Sequence, residues 1–274
     1  MKVSIITVCY NSALVLKTAI TSVLSQSYQD IEYIIIDGSS TDGTFEIIKS
    51  FREQINKFVC EPDQGIYDAM NKGLVLATGD VIGILNSDDF YPNSYIISEV
   101  VKAFSVNPNI GMVLGNVDFV HPKNIKKLVR HYSCFHFSSW HMRFGFMPAH
   151  SATFFKRSIY KKIGQYRLGY EIGADFEWFV RAFYIHKIQF ICVNKTFVYM
   201  RQGGVSTSGL KSYWISSKEQ IKALQENNVY SNILFVLIRL PIKFYHKLTR
   251  NVFPHSRYTH RTVTQTKDQL QKPL

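Results

Sequence analysis

Apolar residues in the first hundred positions come in short, β-branched runs, each stopped by small and polar residues. Val3–Val8 closes on Cys9-Tyr10-Asn11-Ser12, and Ile31–Ile36 on Asp37-Gly38-Ser39-Ser40-Thr41-Asp42-Gly43. A brief run near Lys57–Cys60 meets Glu61-Pro62-Asp63, and Val81–Leu85 meets Asn86-Ser87-Asp88-Asp89. Runs of this length without alternation predict strands buried on both faces. Between them, Leu14–Leu24, Thr44–Arg52 and Tyr67–Ala77 carry apolar residues at helical spacing, the last ending at Thr78-Gly79-Asp80. Strand and helix in alternation predict a parallel sheet covered by helices on both faces. In such α/β folds, ligands bind just beyond the carboxyl ends of the strands.

Those strand ends are where the chemistry concentrates. They carry Asn11, Asp37 with Asp42, Glu61 with Asp63, and Asp88 with Asp89, so acids gather on one edge of one sheet. Gathered carboxylates repel unless a cation or a hydrogen-bond donor sits among them. Adjacent Asp88 and Asp89 suit Mg2+ or Mn2+, hard cations that take oxygen ligands and leave positions for phosphate oxygens. Asp37 ends a buried strand before a glycine, where its carboxylate could accept a hydrogen bond from a base or ribose. Asp42 has two readings, a member of this acidic rim or a cap on the next helix.

The 274 residues, 46% hydrophobic and 19% charged, suit one sizeable α/β core with a smaller appended region and exclude wholesale disorder. The net charge of +12 is unevenly spread. Residues 1–100 hold 6 Lys/Arg against 13 Asp/Glu, and residues 101–274 hold 26 against 7. A leading acidic half is not the footprint of a nucleic-acid binder, so no nucleic-acid partner is expected. The basic half suits an anionic membrane surface or a phosphorylated substrate. Four scattered cysteines without a CxxC pair argue against zinc and against disulfides, which points to a reducing compartment. The first apolar run is too short for a signal peptide, and no stretch of about 20 apolar residues predicts a spanning helix.

Tyr230–Val252 mixes bulky apolar residues with Arg239, Lys243, Lys247 and Arg250, and Pro241 would kink or split a helix there. The segment suits a helix lying in the headgroup region of an anionic leaflet, or an ordinary amphipathic helix packed on the domain. Residues 253–274 are expected to form a disordered basic tail.

The motifs SIITVCYNS, IIIDGSSTDGT, EPDQGIYDAMNKGLVLATGD, LNSDD, HSATFF, ADFEWFVR and RQGGVS follow one another over about residues 1–210. In this order they resemble glycosyltransferase family 2, the inverting GT-A transferases, and most of all the bacterial exopolysaccharide and O-antigen type. The resemblance implies a Rossmann-like, mostly parallel sheet flanked by helices; beyond about residue 210 it fades, and the residues themselves suggest a C-terminal helical amphipathic extension. The expected division is a GT-A domain at 1–210 (nucleotide-sugar half 1–100, acceptor half 101–210), a helical, membrane-associating or packed extension at 211–252 and the tail at 253–274.

Residue by residue, the resemblance implies that Thr7, Tyr10 and Asn11 line the nucleotide pocket and that Asp37 meets the base if it is uracil. It places Asp68 and Lys72 near the ribose and diphosphate. Asp88 lies where the metal-site motif begins, with Asp89 a direct ligand of Mn2+ or Mg2+. The first position of the strict Asp-x-Asp pattern is Asn86 here, which leaves open which of Asp88 and Asp89 touches the ion.

Asp175 resembles the catalytic base. It opens an amphipathic segment, Asp175–Tyr184, where a helix N-terminus would keep it ionised and therefore a weak base. A simple N-cap is the alternative, and Glu177 points elsewhere on the same helix. His150 is either a packed histidine or a contact to diphosphate or acceptor. Arg201, before Gly203-Gly204, is either a clamp on the leaving diphosphate or a surface arginine.

Other nucleotide-using folds fail on local sequence. No G-x-G-x-x-G follows the first strand, and no G-x-x-x-x-G-K-[ST] exists. The loop after strand one lacks the glycine and arginine of sugar-nucleotide pyrophosphorylases, and the Gln-x-x-Arg-Trp of processive synthases is missing. A non-catalytic scaffold would have lost the acids that this chain keeps. The expected activity is one inverting transfer from a nucleotide-sugar donor, a UDP-sugar first, to a glycan or polyprenyl-diphosphate-linked acceptor. It is expected in the cytoplasm, at the inner face of the plasma membrane.

Overall fold

Four parallel strands form where the apolar runs stand. β1 (Val3–Cys9), β2 (Ile31–Asp37), β3 (Lys57–Cys60) and β4 (Val81–Ile84) lie in the order β3-β2-β1-β4. All of β1 and β4 is buried, as the unbroken β-branched runs require. The computed structural model describes residues 1–203 and 210–238. Helices α1 (Leu16–Leu24), α2 (Thr44–Ser50) and α3 (Ile66–Leu76) make the crossovers.

Beyond β4 the sheet becomes mixed. α4 (Ile96–Val106) leads to β5 (Met112–His121), and β6 (Asn124–Tyr132) folds back antiparallel to it. β7 (Thr153–Lys156) inserts antiparallel between β4 and β5, and β8 (Phe190–Arg201) runs parallel to β5. Alternate strand residues feed two cores on opposite faces. Ile6, Ile34 and Ile82 pack with Met70, Leu74 and Trp178, while Ile5, Ile35 and Val81 pack with Leu16, Ile20 and Phe104. α3 lies so close to the sheet that a Cβ at Gly73 would overlap Cγ2 of Ile6.

α5 (Arg157–Ile163) is followed by α6 (Ala174–Val180), which runs on into a π turn at Arg181–Ile185. The expected amphipathic segment is instead buried on nearly every side, from Ala174 and Phe176 through Phe183. The reason is that α7 (Leu210–Glu226) packs over α6 and covers the face that would otherwise meet water. Glu177 and Arg181 survive there as a buried pair, with Arg181 Nε and Nη2 donating to the carboxylate at 2.8–3.0 Å.

α8 (Ile233–Leu237) seats Phe235 on Phe144 of the 3-10 turn Ser139–Phe144, ring centroids 5.0 Å apart. No helix among the described residues is long and apolar enough to cross a membrane. The expectations for 239–252 and for the 253–274 tail lie outside the described residues, as do residues 204–209 of the Arg201 loop.

Candidate active site

At the carboxyl edge, Cys9, Asp37 and Cys60 stand in register across β1, β2 and β3. Asp37 is fully buried, and its oxygens accept from the Ser40 N–H (3.1 Å), the Ser40 hydroxyl (2.5 Å) and the Cys60 thiol (3.1 Å). Its carboxylate thereby shapes the turn after β2. Asn11, in the left-handed region at φ 48°, accepts from the Thr41 N–H at 2.9 Å while its own N–H donates to Ser40 Oγ at 2.8 Å. Asp42 accepts from the N–H groups of Ala13 (3.0 Å) and Thr44 (3.1 Å) and from the Thr44 hydroxyl. Those bonds, the Thr44 hydroxyl first, hold its carboxyl below the usual range and tie the start of α2 to the 11–13 turn. Asp42 therefore takes the capping role of its two readings.

Tyr10 is 64% exposed and borders Gly38. A Cβ at Gly38 would overlap the Asp63 carboxylate, so Tyr10, Gly38 and Asp63 share one corner. Thr7 is in the core instead, its hydroxyl accepting from Tyr33 at 3.1 Å. Asp68 accepts from the Gln64 N–H at 3.1 Å, and Lys72 donates to Glu61 (2.9 Å) and to the Pro62 carbonyl (2.8 Å). Glu61 is the main cause of the raised pKa of Lys72. This pair ties the loop before α3 to the helix and leaves the Lys72 charge at the rim.

The Asp88–Asp89 turn holds the strongest electrostatic signal. Asp89 is 1% exposed, and Asn86 Nδ2 donates to its Oδ2 at 3.3 Å. Asp89 Oδ1, Asn86 Oδ1, Ser151 Oγ and Arg201 Nε are buried with no hydrogen-bond partner. Unpaired buried groups of this kind are costly and concentrate polar capacity at this turn. Burial, then the neighbouring Asp88 charge, push the Asp89 carboxyl well above the usual range, against Ser151, Asn86 and Arg201. Burial also raises Asp88, against Arg201.

Arg201 ends β8 with its guanidinium 5.2 Å from the centre of the Phe90 ring. An antiparallel bridge between Phe90 and Tyr199 brings that strand end to the acid turn. Among the described residues no three His, Cys, Asp or Glu side chains form a cluster fit for a metal. Two carboxylates still fit Mg2+ or Mn2+, which bind through one or two carboxylates plus phosphate oxygens and water.

Asp175, half-buried in the first turn of α6, accepts from the Phe176 N–H (2.8 Å) and the Tyr67 hydroxyl (3.2 Å). Burial pushes its carboxyl up to about 6, against the Phe176 and Tyr67 bonds, and the Glu219 charge adds to the rise. Burial thus outweighs the terminus of this seven-residue helix, so the carboxyl is a stronger base than the weak one expected, while still mostly ionised at neutral pH. A carboxyl near 6 is better matched to proton transfer at neutral pH than an ordinary one.

His150 Nε2 lies 2.7 Å from the Tyr166 hydroxyl, and its ring packs edge-on against Tyr166 and Phe179. Burial lowers it to about 4, so it is a neutral packed histidine near pH 7. His150 thus engages Tyr166, and its chain neighbour Ser151 lies beside Asp89.

Sequence reasoning passed over Tyr67, Asn71, Tyr166 and Ser151. Asn71 mimics a peptide, donating to the Tyr166 carbonyl and accepting its N–H, both at 2.9 Å. Tyr67 and Asn71 both belong to the GIYDAMNKG stretch, whose dense polar pattern on a buried helix was the available signal.

Comparison with known proteins identifies the family and the fold. The model of "Glycosyl transferase family 2" matches residues 4–164. An uncharacterised glycosyltransferase of Mycobacterium tuberculosis is 33% identical over 191 residues, 66% of this chain and 68% of its own. A PGL/p-HBAD biosynthesis glycosyltransferase of Mycobacterium bovis is 30% identical over 183 residues, 66% of this chain and 69% of its own.

Among solved structures, S. aureus TarS 1–349 in complex with UDP-GlcNAc aligns with a TM-score of 0.67 at 16% identity, over 92% of this chain and 75% of its own. The mannosyltransferase PcManGT from Pyrobaculum calidifontis, in complex with GDP-Man and Mn2+, aligns at 0.62 and 16% identity, over 93% and 76%. These likenesses show a shared GT-A fold. The matched family model and the two mycobacterial relatives together show that this chain belongs to glycosyl transferase family 2.

Proposed function

We propose that the chain transfers one sugar, with inversion, from a nucleoside-diphosphate sugar to a hydroxyl of a glycan or polyprenyl-diphosphate-linked acceptor. A UDP-sugar is the first expectation for the donor. The biological setting we propose is the assembly of a bacterial surface polysaccharide of the exopolysaccharide or O-antigen type. The observation that carries this reading is the presence of two unlike carboxyl sites, the Asp88-Asp89 turn beside Ser151 and Arg201 and the Asp175 carboxyl at the start of α6. Asp175 accepts bonds from Tyr67 and Phe176, and Asp89 lies buried with Asn86, Ser151 and the Arg201 charge around it.

In the proposed reaction Asp175 takes the acceptor hydroxyl proton as that oxygen bonds to the anomeric carbon and the bond to the diphosphate breaks. One displacement inverts the centre. Mn2+ or Mg2+ held by Asp88 and Asp89 would supply charge neutralisation to the leaving diphosphate. Arg201 adds a fixed positive charge on the same side. Thr7, Tyr10, Asn11, Asp37, Asp68 and Lys72 are proposed as the nucleotide wall, with Thr7 and Asp37 contributing chiefly by shaping its backbone.

Support for a nucleotide-sugar donor comes from UDP-GlcNAc on TarS and GDP-Man on PcManGT, and for a divalent cation from the Mn2+ of the latter. The direct experiment is a panel of UDP-GlcNAc, UDP-glucose and GDP-mannose with Mn2+ or Mg2+. A matched donor raises the melting temperature and is slowly hydrolysed, and chelator removes both effects. A panel without any such response overturns the reading.

We further propose peripheral attachment at the inner face of the plasma membrane. Trp140, Tyr230, Leu234 and Ile238 are exposed around the Phe144–Phe235 stack, with Arg143 over the Tyr230 ring at 5.6 Å. Exposed aromatic and aliphatic side chains beside cationic ones suit an anionic leaflet. Truncation at residue 228 should then release the protein from phosphatidylglycerol vesicles. Absence of vesicle binding by the full chain overturns this part alone.

A further inference from the structure

Glu219 lies on α7, beyond the region that the family model matches. Its carboxylate receives three successive main-chain N–H groups. Oε1 accepts from Glu171 at 2.6 Å, and Oε2 accepts from Ile172 at 2.9 Å and Gly173 at 2.8 Å. Consecutive N–H groups converging on one anion form charge-assisted bonds, stronger than neutral ones, and fix the segment that carries them. Fit is tight as well as polar: a Cβ at Gly173 would stand 3.1 Å from both Cβ and Oε2 of Glu219.

The segment held in this way is the approach to Asp175. Gly173 is the residue before α6, and Asp175 sits in its first turn. The Ile172 carbonyl accepts from the Tyr67 hydroxyl, and the same hydroxyl reaches Asp175 Oδ1 at 3.2 Å. Two anchors from separate elements therefore meet on three residues: Tyr67 from α3 and Glu219 from α7. The neighbouring acid on α7, Glu226, is engaged elsewhere, with Tyr170 at 2.7 Å and Arg167 at 3.2 Å.

We propose that Glu219 is a positioning residue for transfer, holding the 171–173 segment so that Asp175 keeps its place and its contact with Tyr67. This rests on the reading of Asp175 as the base. The charge has a second effect, because Glu219 helps hold the Asp175 carboxyl up. The other groups facing that carboxyl are Tyr67 from α3 and Tyr166 from the loop before α6, the latter bonded to neutral His150. Neither Tyr67 nor Tyr166 ionises near neutral pH, since burial raises both. Glu219 is accordingly the nearby charge that tunes the base.

An amide at 219 would turn its NH2 group toward one of the N–H donors, so Glu219→Gln loses both the anchor and the charge. The test compares wild type, Glu219→Gln, Glu219→Asp, Glu226→Gln and Asp175→Asn in the full chain. Titration of the Asp175 carboxyl is followed by 13C NMR, assigned by its loss in Asp175→Asn, so this readout does not depend on turnover. Glu219→Gln should move the Asp175 midpoint below wild type and speed amide hydrogen exchange over 171–176. It should also lower kcat for hydrolysis of the donor selected from the panel by roughly 10- to 100-fold, with KM little changed.

Glu219→Asp, which keeps the charge on a shorter stem, should restore the midpoint better than the exchange. Glu226→Gln should leave both at wild type. A wild-type midpoint and wild-type exchange in Glu219→Gln overturn the proposal, whatever its melting temperature. Retention of turnover by Asp175→Asn would instead overturn the base reading on which it stands.

Discussion

The Tyr67 hydroxyl stands between the Ile172 carbonyl and the Asp175 carboxyl, 3.2 Å from the latter. Tyr67 belongs to the helix after β3 and Asp175 to the helix after the mixed half of the sheet. This one hydroxyl therefore joins the half expected to hold the donor to the half expected to hold the acceptor.

Removing the hydroxyl should shift the titration of the base without unfolding the site. Tyr67→Phe keeps the ring in its packing against Tyr166 but deprives Asp175 of a bond that stabilises its charged form. The Asp175 midpoint should rise above wild type, and turnover at pH 7 should fall by about 2-fold, since a rise of about one pH unit (about 1.4 kcal/mol) leaves the carboxyl about half ionised there. The pH–rate profile of the variant measures both.

Turnover of the wild type should fall with acid through a midpoint near 6, the value to which burial pushes Asp175. Below that pH the carboxyl holds its proton and cannot accept another. Linkage for stability has the same origin. A carboxyl raised above its ordinary value near 3.8 stabilises the fold fully below that pH and loses the contribution as pH rises through about 6. Asp175→Asn should therefore flatten the pH dependence of urea unfolding between those values, which denaturation at a series of pH values would record.

Asp89→Asn should separate binding from folding. Asp89 is buried with one oxygen lacking any partner, a cost to the metal-free fold that an uncharged amide reduces. The variant should melt no lower than wild type in chelator, yet lose the rise in melting temperature that donor with Mn2+ gives wild type. Differential scanning fluorimetry in chelator and in Mn2+ distinguishes these outcomes.

Gly73→Ala tests the packing that sets α3, and hence Tyr67 and Asn71, on the sheet. A Cβ there would overlap Ile6 Cγ2, in the middle of β1, where neither backbone can retreat. Overpacking of this kind costs about 1–3 kcal/mol, more than the helix propensity that alanine adds. Equilibrium urea unfolding should report a lower midpoint with an unchanged slope.

The parallel half of the fold was legible because its strands are buried on both faces. Val3–Val8 and Ile31–Ile36 have no polar alternation to confuse them, and each breaks at a small or polar residue where the strand ends. α6 differs in character from the amphipathic segment expected at Asp175–Tyr184: the cover supplied by α7 buries it, and Glu177 pairs with Arg181 inside. The strand-end acids were visible as a set, but their division of labour was not. Asp42 caps and Asp37 shapes a turn through bonds to Ser40 and Cys60, contacts that depend on the register of three strands. Glu219 was hidden for a similar reason, since its partners are main-chain N–H groups that carry no sequence signature.

The most direct measurement compares wild type with Asp175→Asn for binding and for turnover of the same nucleotide-sugar in the presence of Mn2+. The account predicts a donor dissociation constant close to wild type and a loss of turnover of about 100-fold or more, as removal of a general base gives. Near-wild-type turnover by Asp175→Asn, with donor still bound, would contradict it.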